Sequence, residues 1–372
     1  MVKVCHLIDH FGLGGAQSVI ADLIEARGSH IQPHVIALRN RSLDKLIRRI
    51  EDSGASYQTL SLDKYNPIGV WRLRNALRRG SFDLLHTHLE YSNTFGVVAA
   101  ASLGRYQPRI VRHIHADPWL HNSIVFRTVA RATRRYVGAH VAPGPGTAAA
   151  AASMLATGPD RVSTIRNGVD IQSFETAAID NERVRTLRGG AKRVVGFAGR
   201  LADGKDPLTL IDSMPALLAA EPSTRLLIVG DGPLREKLTD RCRQNNLSHA
   251  VTFTGYLENM AEAYRAMDVL AFATKYEGLP VSIIEAMLMR IPVVATEVPG
   301  VTDIVIDGST GLLTAPADVS SMAVGVLRLF TDPGLAESLQ NTAYDIVRTT
   351  YSRQRMADET ERLYAEVMSG MS

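Results

Sequence analysis

Two groups of charged residues in the second half of the chain have the types and spacing to do chemistry. Gly199, Arg200, Leu201, Ala202, Asp203, Gly204 and Lys205 run together between an apolar stretch and a helical pattern. A loop there presents a guanidinium, which is a planar fork of donors, and an ammonium, which is a compact point charge. Both suit the oxygens of a diphosphate. Glu277 and Glu285 lie before and inside a second helical pattern. Pro280 between them suits a first helical position, where a missing N–H costs nothing. The first-turn N–H groups and the helix dipole favour an anion at that end. Glu285 falls among apolar neighbours, where a carboxylate needs donors such as ribose hydroxyls, and Glu277 is placed to hold sugar hydroxyls. Isolated charges of this kind are most often solvated. Their position between strand and helix is what argues for function.

Histidines are the other reactive residues. Ten of the eleven lie in residues 1–187. His86 and His88 are spaced i, i+2, as are His113 and His115, so on a strand each pair faces one way. A metal site is conceivable on that spacing. No acidic or cysteine partner stands at ligand spacing, so the pairs read as core or cleft histidines, and His113 as an ordinary strand residue.

The elements that carry these residues alternate. In the first half, strands are expected at 2–8, 34–38, 82–86, 110–115 and 139–142, with helices at 16–26 and 43–53. In the second half, strands are expected at 193–198, 225–229, 251–254, 269–272 and 292–295, with helices at 208–220 and 233–243. Three closing helices follow at 318–331, 335–348 and 353–368. Strands alternating with helices imply βαβ units and parallel sheets. The polar stretch 170–192, with Gly189 and Gly190, reads as the junction between two doubly wound domains of the Rossmann type. Ligands of such sheets bind at the carboxyl ends of the strands, which predicts a nucleotide- or phosphate-bearing ligand but names no reaction.

Composition agrees with two globular domains. The chain has 372 residues, 45% hydrophobic and 21% charged, which excludes a disordered or low-complexity chain. Two distant cysteines, Cys5 and Cys242, exclude a disulfide scaffold and a zinc ribbon. The first nine residues lack the apolar run of a signal peptide, and nothing approaches ~18 consecutive apolar residues. A cytoplasmic setting is the expectation. Charge is uneven: residues 1–187 carry 23 Lys+Arg against 15 Asp+Glu, and residues 188–372 carry 18 against 23. The basic half is expected to meet something anionic. Residues 71–79 are basic and amphipathic, and Arg127, Arg131, Arg134 and Arg135 share a helical face. These read either as solvated faces or as a patch for the inner face of a membrane. Nucleic acid is not expected, because aromatics are 6% and no recognition motif appears.

At this point the chain resembles a known family. Arg200 and Lys205, together with the Glu277-x7-Glu285 pair, resemble the donor-binding signature of retaining glycosyltransferases of family 4. Six further segments resemble that family in the same order: Gly12-Leu13-Gly14-Gly15-Ala16-Gln17; Phe82-Asp83-Leu84-Leu85-His86-Thr87-His88; Arg166-Asn167-Gly168-Val169-Asp170; Val229-Gly230-Asp231-Gly232-Pro233; Phe253-Thr254-Gly255; and Pro292-Val293-Val294-Ala295-Thr296. The resemblance covers nearly the whole chain and implies an α/β, GT-B fold, two Rossmann-like doubly wound domains facing across a cleft. It implies an acceptor-binding domain at 1–187, a nucleotide-sugar donor domain at 188–352, and a last helix, 353–372, crossing back to the first domain.

Roles follow from the resemblance in the same way. Arg200 and Lys205 would hold the donor diphosphate and stabilise it as it leaves. Glu285 would hold the ribose, and Glu277 the transferred sugar. Gly278 belongs to the same donor segment, and the N–H groups of Leu279, Val281 and Ser282 would complete the phosphate cradle. Gly255 and Tyr256 would begin the base-contacting loop. His115 would contact the sugar, and Gly14 and Gly15 would let backbone approach phosphate or acceptor. The family retains anomeric configuration and needs no metal or other cofactor, so no enzymic nucleophile is assigned. The implied activity is transfer of a hexose or hexosamine from a nucleotide diphosphate sugar, UDP favoured and GDP the alternative. The acceptor would be a glycan or lipid-linked molecule of the cell envelope or an exopolysaccharide. Ala273-Thr274 stands where Pro-Ser is common, Pro299-Gly300 replaces Gly-Gly, Asp303 replaces a usual Glu, and residues 143–146 replace a Val-Ser strand end. The last departure falls on a loop facing the acceptor. Two rival readings remain at this stage: a catalytically silent nucleotide-sugar binding subunit, and a nucleotide-sugar epimerase of the same fold.

Overall fold

The computed structural model describes residues 1–12, 14–62, 67–115 and 124–370. The chain divides into two units, 1–168 with 353–372, and 169–352. Leu13 of the glycine-rich loop and residues 371–372 lie outside the described residues.

In the first unit the elements run β1 (Val2–Ile8), α1 (Gly15–Ala26), β2 (Ile31–Ala37), α2 (Asp44–Asp52), β3 (Ser56–Thr59), α3 (Pro67–Gly80), β4 (Leu84–His88), a π-turn and α4 (Val97–Ala101), β5 (Arg109–His113), α5 (Ile124–Thr133), β6 (Ala139–Ala142), α6 (Pro145–Leu155) and β7 (Val162–Thr164). The sheet order is β3-β2-β1-β4-β5-β6-β7, and every pairing is parallel. Chain direction across the sheet reverses between β1 and β4, which is therefore the switch point.

The last helix, α15 (Arg353–Ser369), belongs to this unit. It buries Met356, Ala357, Thr360, Leu363, Tyr364 and Val367. Arg353 bonds Glu25 at 2.7 Å, and Glu361 accepts from the Gly28 N–H at 2.6 Å, so α15 is fastened to the α1 layer by polar contacts as well as by burial.

The second unit contains α7 (Ile171–Glu175), α8 (Asn181–Arg188), β8 (Arg193–Ala198), α9 (Pro207–Ala220), β9 (Thr224–Val229), α10 (Arg235–Gln244), β10 (Val251–Gly255), α11 (Met260–Arg265), β11 (Val269–Phe272), α12 (Val281–Leu288), β12 (Val293–Thr296), β13 (Leu312–Thr314), α13 (Val319–Thr331) and α14 (Pro333–Thr350). Its sheet order is β10-β9-β8-β11-β12-β13, all parallel. The switch point falls between β8 and β11. Strands such as β8, β11 and β12 are buried on both faces, which is why they read as continuous apolar runs rather than alternating ones.

Several expected boundaries shift, each for a local reason. The unit boundary falls at Gly168/Val169 rather than after residue 187, because α7 and α8 pack Ile171, Phe174, Val184 and Leu187 onto the second core. The strand expected at 82–86 runs over Leu84–His88. Asp83 is used as a staple instead: its carboxylate accepts from the Lys3 N–H at 2.8 Å. The strand expected at 110–115 ends at His113. The Ile114 N–H still reaches the Val141 carbonyl at 2.8 Å, but β6 stops before Pro143, which offers no N–H to extend the ladder. His115 therefore sits just past the strand. Pro280 is the N-cap of α12, with extended ψ of 108°, and Val281 is the first helical residue.

Candidate functional site

The switch point of the second sheet explains why residues 72 positions apart meet. Lys205 ends a short 3-10 turn, Asp203–Lys205, in the loop after β8. Glu277 lies in the loop after β11, the neighbouring strand. Lys205 Nζ pairs with Glu277 Oε1, and Glu277 is buried, at 8% exposure. A carboxylate this deep requires such a partner. The ammonium also stands 5.2 Å from the centroid of the Phe272 ring, a cation–π distance.

Thr274 ties the two loops together. Its hydroxyl donates to the Gly204 carbonyl at 2.8 Å, and its N–H donates to Thr296 Oγ1 at 2.9 Å. The Lys275 N–H also reaches the Gly204 carbonyl, at 2.8 Å. The loops after β8, β11 and β12 are thus joined through one buried threonine. Sequence reasoning noted Thr274 only as a departure; its signal was a polar residue directly following an apolar strand.

Backbone crowding demands two of the glycines. Gly230 has φ of +128°, and a Cβ there would lie 2.0 Å from the Gly199 carbonyl oxygen. Gly300 has φ of +84°, and its Cβ would lie 2.5 Å from the Gly278 carbonyl and 2.7 Å from that of Glu277. Glycine is the residue that tolerates both the positive φ and the contact. The loop after β10 joins the same edge: the Gly230 N–H donates to the Gly255 carbonyl at 2.8 Å. Tyr256 is half exposed and its hydroxyl lies 3.4 Å from the Asp231 carbonyl.

Arg200 is exposed in the loop after β8. Val281 and Ser282 open α12, while Gly278 and Leu279 precede it. Glu285, in the second turn, has a donor from inside the protein. The fully buried Tyr264 hydroxyl donates to its Oε2 at 2.6 Å. The donor that such a carboxylate needs is thus supplied in part by the protein. Burial, and then the Glu285 charge, push the Tyr264 hydroxyl well above its usual range, so it stays a donor. The structure brings Lys205, Glu277 and Gly204 together, and separately holds Glu285 on Tyr264.

His115, Gly14 and Gly15 belong to the first unit. Gly14 caps α1, and Gly15 opens it. Nothing lies within 4 Å of a Cβ built on Gly15, so no packing within the described residues requires glycine there. Asp9, at the end of β1, is buried and accepts from the Ser92 N–H and hydroxyl, both at 2.8 Å, and from the Tyr91 N–H at 3.2 Å. These bonds tie the two sides of the first switch point. Burial raises its carboxyl despite those donors.

The histidines expected in the core or cleft gather there, His115 partly buried and the others buried. His6 on β1, His86 and His88 on β4, and His113 and His115 at β5 form one contiguous cluster. Register places His6 opposite His86, and His88 opposite His113, on one face. His88 Nδ1 is 2.8 Å from His115 Nε2, and its Nε2 is 3.2 Å from His6 Nδ1. His86 Nδ1 is 2.6 Å from the Tyr364 hydroxyl of α15. Burial lowers His6 and His115 to about 3, and lowers His86, His88 and His113 well below their usual value. Among the described residues, each i, i+2 pair stands beside other histidines rather than beside acidic or cysteine side chains. His6 was overlooked because the strand carrying it holds a single histidine.

The expected basic face on α5 is also modified. Arg131 donates to the Met154 carbonyl at 2.7 Å, and Arg134 to the Leu155 and Ala156 carbonyls at 3.0 and 3.1 Å. Both cap the C-terminal end of α6, where carbonyls lack helical partners. On α3, Ile68, Trp71, Arg72, Arg78 and Arg79 are exposed.

Two parallel doubly wound sheets, with a cation–carboxylate pair at the second switch point, define an α/β protein of two Rossmann-like units. The comparisons agree. Residues 13–173 match the family described as Glycosyltransferase Family 4, and residues 192–332 match Glycosyl transferases group 1. EpsF of Bacillus subtilis, itself assigned to the glycosyltransferases, is 26% identical over 325 residues, 84% of this chain and 83% of its own. A GDP-mannose-dependent alpha-mannosyltransferase of Mycobacterium tuberculosis is 32% identical over 262 residues, 66% of this chain and 64% of its own. Matches to other curated relatives span only 46–57% of their length. The structure of Anabaena HepE in complex with UDP-glucose superposes with a TM-score of 0.85 at 20% identity, covering 98% of this chain and all of that one. The chain belongs to glycosyltransferase family 4, with the GT-B fold. Among the described residues, no helix is long and apolar enough to cross a membrane.

Proposed function

We propose that this protein is a retaining, metal-independent glycosyltransferase that moves a hexose or hexosamine from a nucleotide diphosphate sugar to a glycan or lipid-linked acceptor of the cell envelope or an exopolysaccharide. The observation that carries this reading is the Lys205–Glu277 pair at the switch point of the second sheet, where ligands of such sheets bind. Arg200 and Lys205 hold the diphosphate and oppose the charge that develops as it leaves, which is electrostatic catalysis. The first-turn amides of α12, at Val281 and Ser282, and the backbone at Gly278 and Leu279 add donors. Glu277 orients the sugar hydroxyls, and Glu285, preset by Tyr264, receives the ribose. Gly255 and Tyr256 flank the base. In the first unit His115 meets the sugar, while Gly14 and Gly15 admit phosphate or acceptor.

UDP is the favoured nucleotide, on the family resemblance and on the neighbour holding UDP-glucose. GDP is the alternative favoured by the mannosyltransferase relative. Thermal unfolding with UDP, GDP and ADP, on the native chain and on Arg200→Ala, separates them. A ligand at ~100 times its dissociation constant adds about 2.7 kcal/mol. A shift with one nucleotide that disappears in Arg200→Ala supports the donor site; no shift with any nucleotide or nucleotide sugar counts against it. NMR of the product anomer, with EDTA present, tests retention and metal independence. The exposed apolar and basic residues of α3 support an acceptor held at the inner face of the membrane. Co-sedimentation with anionic vesicles that salt and Trp71→Ala abolish is the expected result.

A further inference from the structure

We propose that His88, His113 and His115 form a binding site for a late first-row divalent transition-metal ion, Zn²⁺ foremost. The site goes beyond the transferase reading but shares His115 with it, so its test reads metal binding alone, without donor or acceptor.

The ring nitrogens of these three histidines lie within 4.8 Å of one another. An ion bound to imidazoles at ~2.0–2.1 Å in tetrahedral geometry spaces its ligand atoms about 3.3 Å apart, so His113 and His115, stacked at 3.9 Å and 9°, must turn out of their stack for their lone pairs to converge on it. Two of the three are already closer: His88 Nδ1 and His115 Nε2 share one proton across 2.8 Å, and an ion replaces that proton. His113 supplies the third ligand. Both of its ring nitrogens are buried with no hydrogen-bond partner, on a side chain only 4% exposed. Buried polar atoms are nearly always satisfied, and a metal ligand bond would satisfy this one.

The surroundings suit the chemistry. His88 and His113 are register partners on adjacent strands, so two ligands stand on rigid elements. The remaining nitrogen of His88 faces His6 Nδ1 at 3.2 Å; a ligating imidazole commonly uses its second nitrogen this way, which orients the ring. An all-nitrogen set favours Zn²⁺, Ni²⁺, Co²⁺ or Cu²⁺ over Mg²⁺ and Ca²⁺. His115 is only partly buried. The other histidine triad, His6, His86 and His88, is wholly buried and has His86 Nδ1 committed to Tyr364, so it is the poorer site.

The test is titration of the full-length, untagged protein with Zn²⁺ by calorimetry and with Co²⁺ by visible absorption, with Mg²⁺ as the hard-ion control. One equivalent of Zn²⁺ and of Co²⁺ is expected to bind, with nitrogen-ligated Co²⁺ bands and no response to Mg²⁺. His113→Phe keeps the ring stacking and removes both nitrogens; His115→Gln changes a partly exposed position and serves if His113→Phe does not fold. Each should weaken binding by more than about tenfold, while His249→Gln, on the exposed surface of the second unit, should leave it unchanged. Absence of binding to the native chain overturns the proposal, as does binding that survives both cluster substitutions.

Discussion

The two sheets put their chemistry at the same topological place and load it differently. At and beside the first switch point, on β1, β4 and β5, imidazoles crowd together, His86 tilted to His88 at 4.2 Å and His113 stacked on His115 at 3.9 Å between centroids. At the second, between β8 and β11, stands a lysine paired with a buried carboxylate. Parallel strand order alone brings distant segments together at that point; the residue types then decide whether the result is a charge pair or a set of lone pairs. The first unit accordingly stores groups that folding keeps unprotonated. The second sets a lysine against a buried carboxylate.

Acid should separate the two units most strongly. Folding lowers His6, His115 and His140 to about 3, from the unfolded value of 6.5, mainly by burial. Below pH 6.5 the unfolded chain therefore binds more protons. The stability these groups contribute is present above pH 6.5 and is lost as pH falls toward 3. Each histidine kept neutral adds a slope of about 1.4 kcal/mol per pH unit. Asp22 opposes them, because burial raises its carboxyl to about 6; as pH falls through 6 the folded state gains a proton and stability. One such group offsets only part of the histidine effect. Hydrogen exchange at pH 7 and pH 5 should show β4 and β5 losing far more protection than β8 and β9. Equal loss in both sheets would remove the contrast.

Next in size is the charge pair. Lys205→Ala should lower kcat of sugar transfer by about 100-fold or more and leave Glu277 buried without its cation. Steady-state kinetics, with circular dichroism as the folding check, decides this. A loss confined to KM would assign Lys205 to ground-state binding alone.

A pair of glycines sharpens the comparison further. Gly230→Ala forces a methyl against the Gly199 carbonyl at positive φ and should cost about 3 kcal/mol or more. Gly15→Ala meets open space at the start of α1 and should be neutral or stabilising by about 0.5–1 kcal/mol. Urea unfolding of both variants measures the difference. If Gly15→Ala instead abolishes transfer without changing stability, its glycine serves an approaching ligand.

Tyr264→Phe should have a smaller effect than Gly230→Ala. It removes the hydroxyl that donates to Glu285, a bond to a charged group worth about 1.5–3 kcal/mol, from a ring whose packing is unchanged. Stability should fall by no more than that, and nucleotide affinity should fall with it if Glu285 is preset for ribose. Unchanged affinity would make the bond purely structural.

Much of this was legible in advance because local patterns carry it. The apolar runs of β8, β11 and β12 announce buried parallel strands, and the glycines around Gly230 announce crowded turns. Lys205 and Glu277 were separately recognisable from their strand–loop–helix positions. Boundaries were less legible where one side chain intervenes, as Asp83 does at β4 or Pro143 does after β6. The helices at 171–188 looked like a linker because their polar residues outnumber the few that pack, Ile171, Phe174, Val184 and Leu187.

What the sequence by itself determined is the element order, the parallel sheets and the residue types available at each strand end, since these follow from hydrophobic periodicity and turn chemistry. Only the tertiary structure decided which of those residues touch. Pairing of non-consecutive strands put Lys205 against Glu277 and gathered five histidines into one cluster, and the contact of α11 with α12 put Tyr264 against Glu285. Those contacts depend on strand order and register, which are set by how whole faces pack, and no local pattern around His6 or Thr274 encodes them.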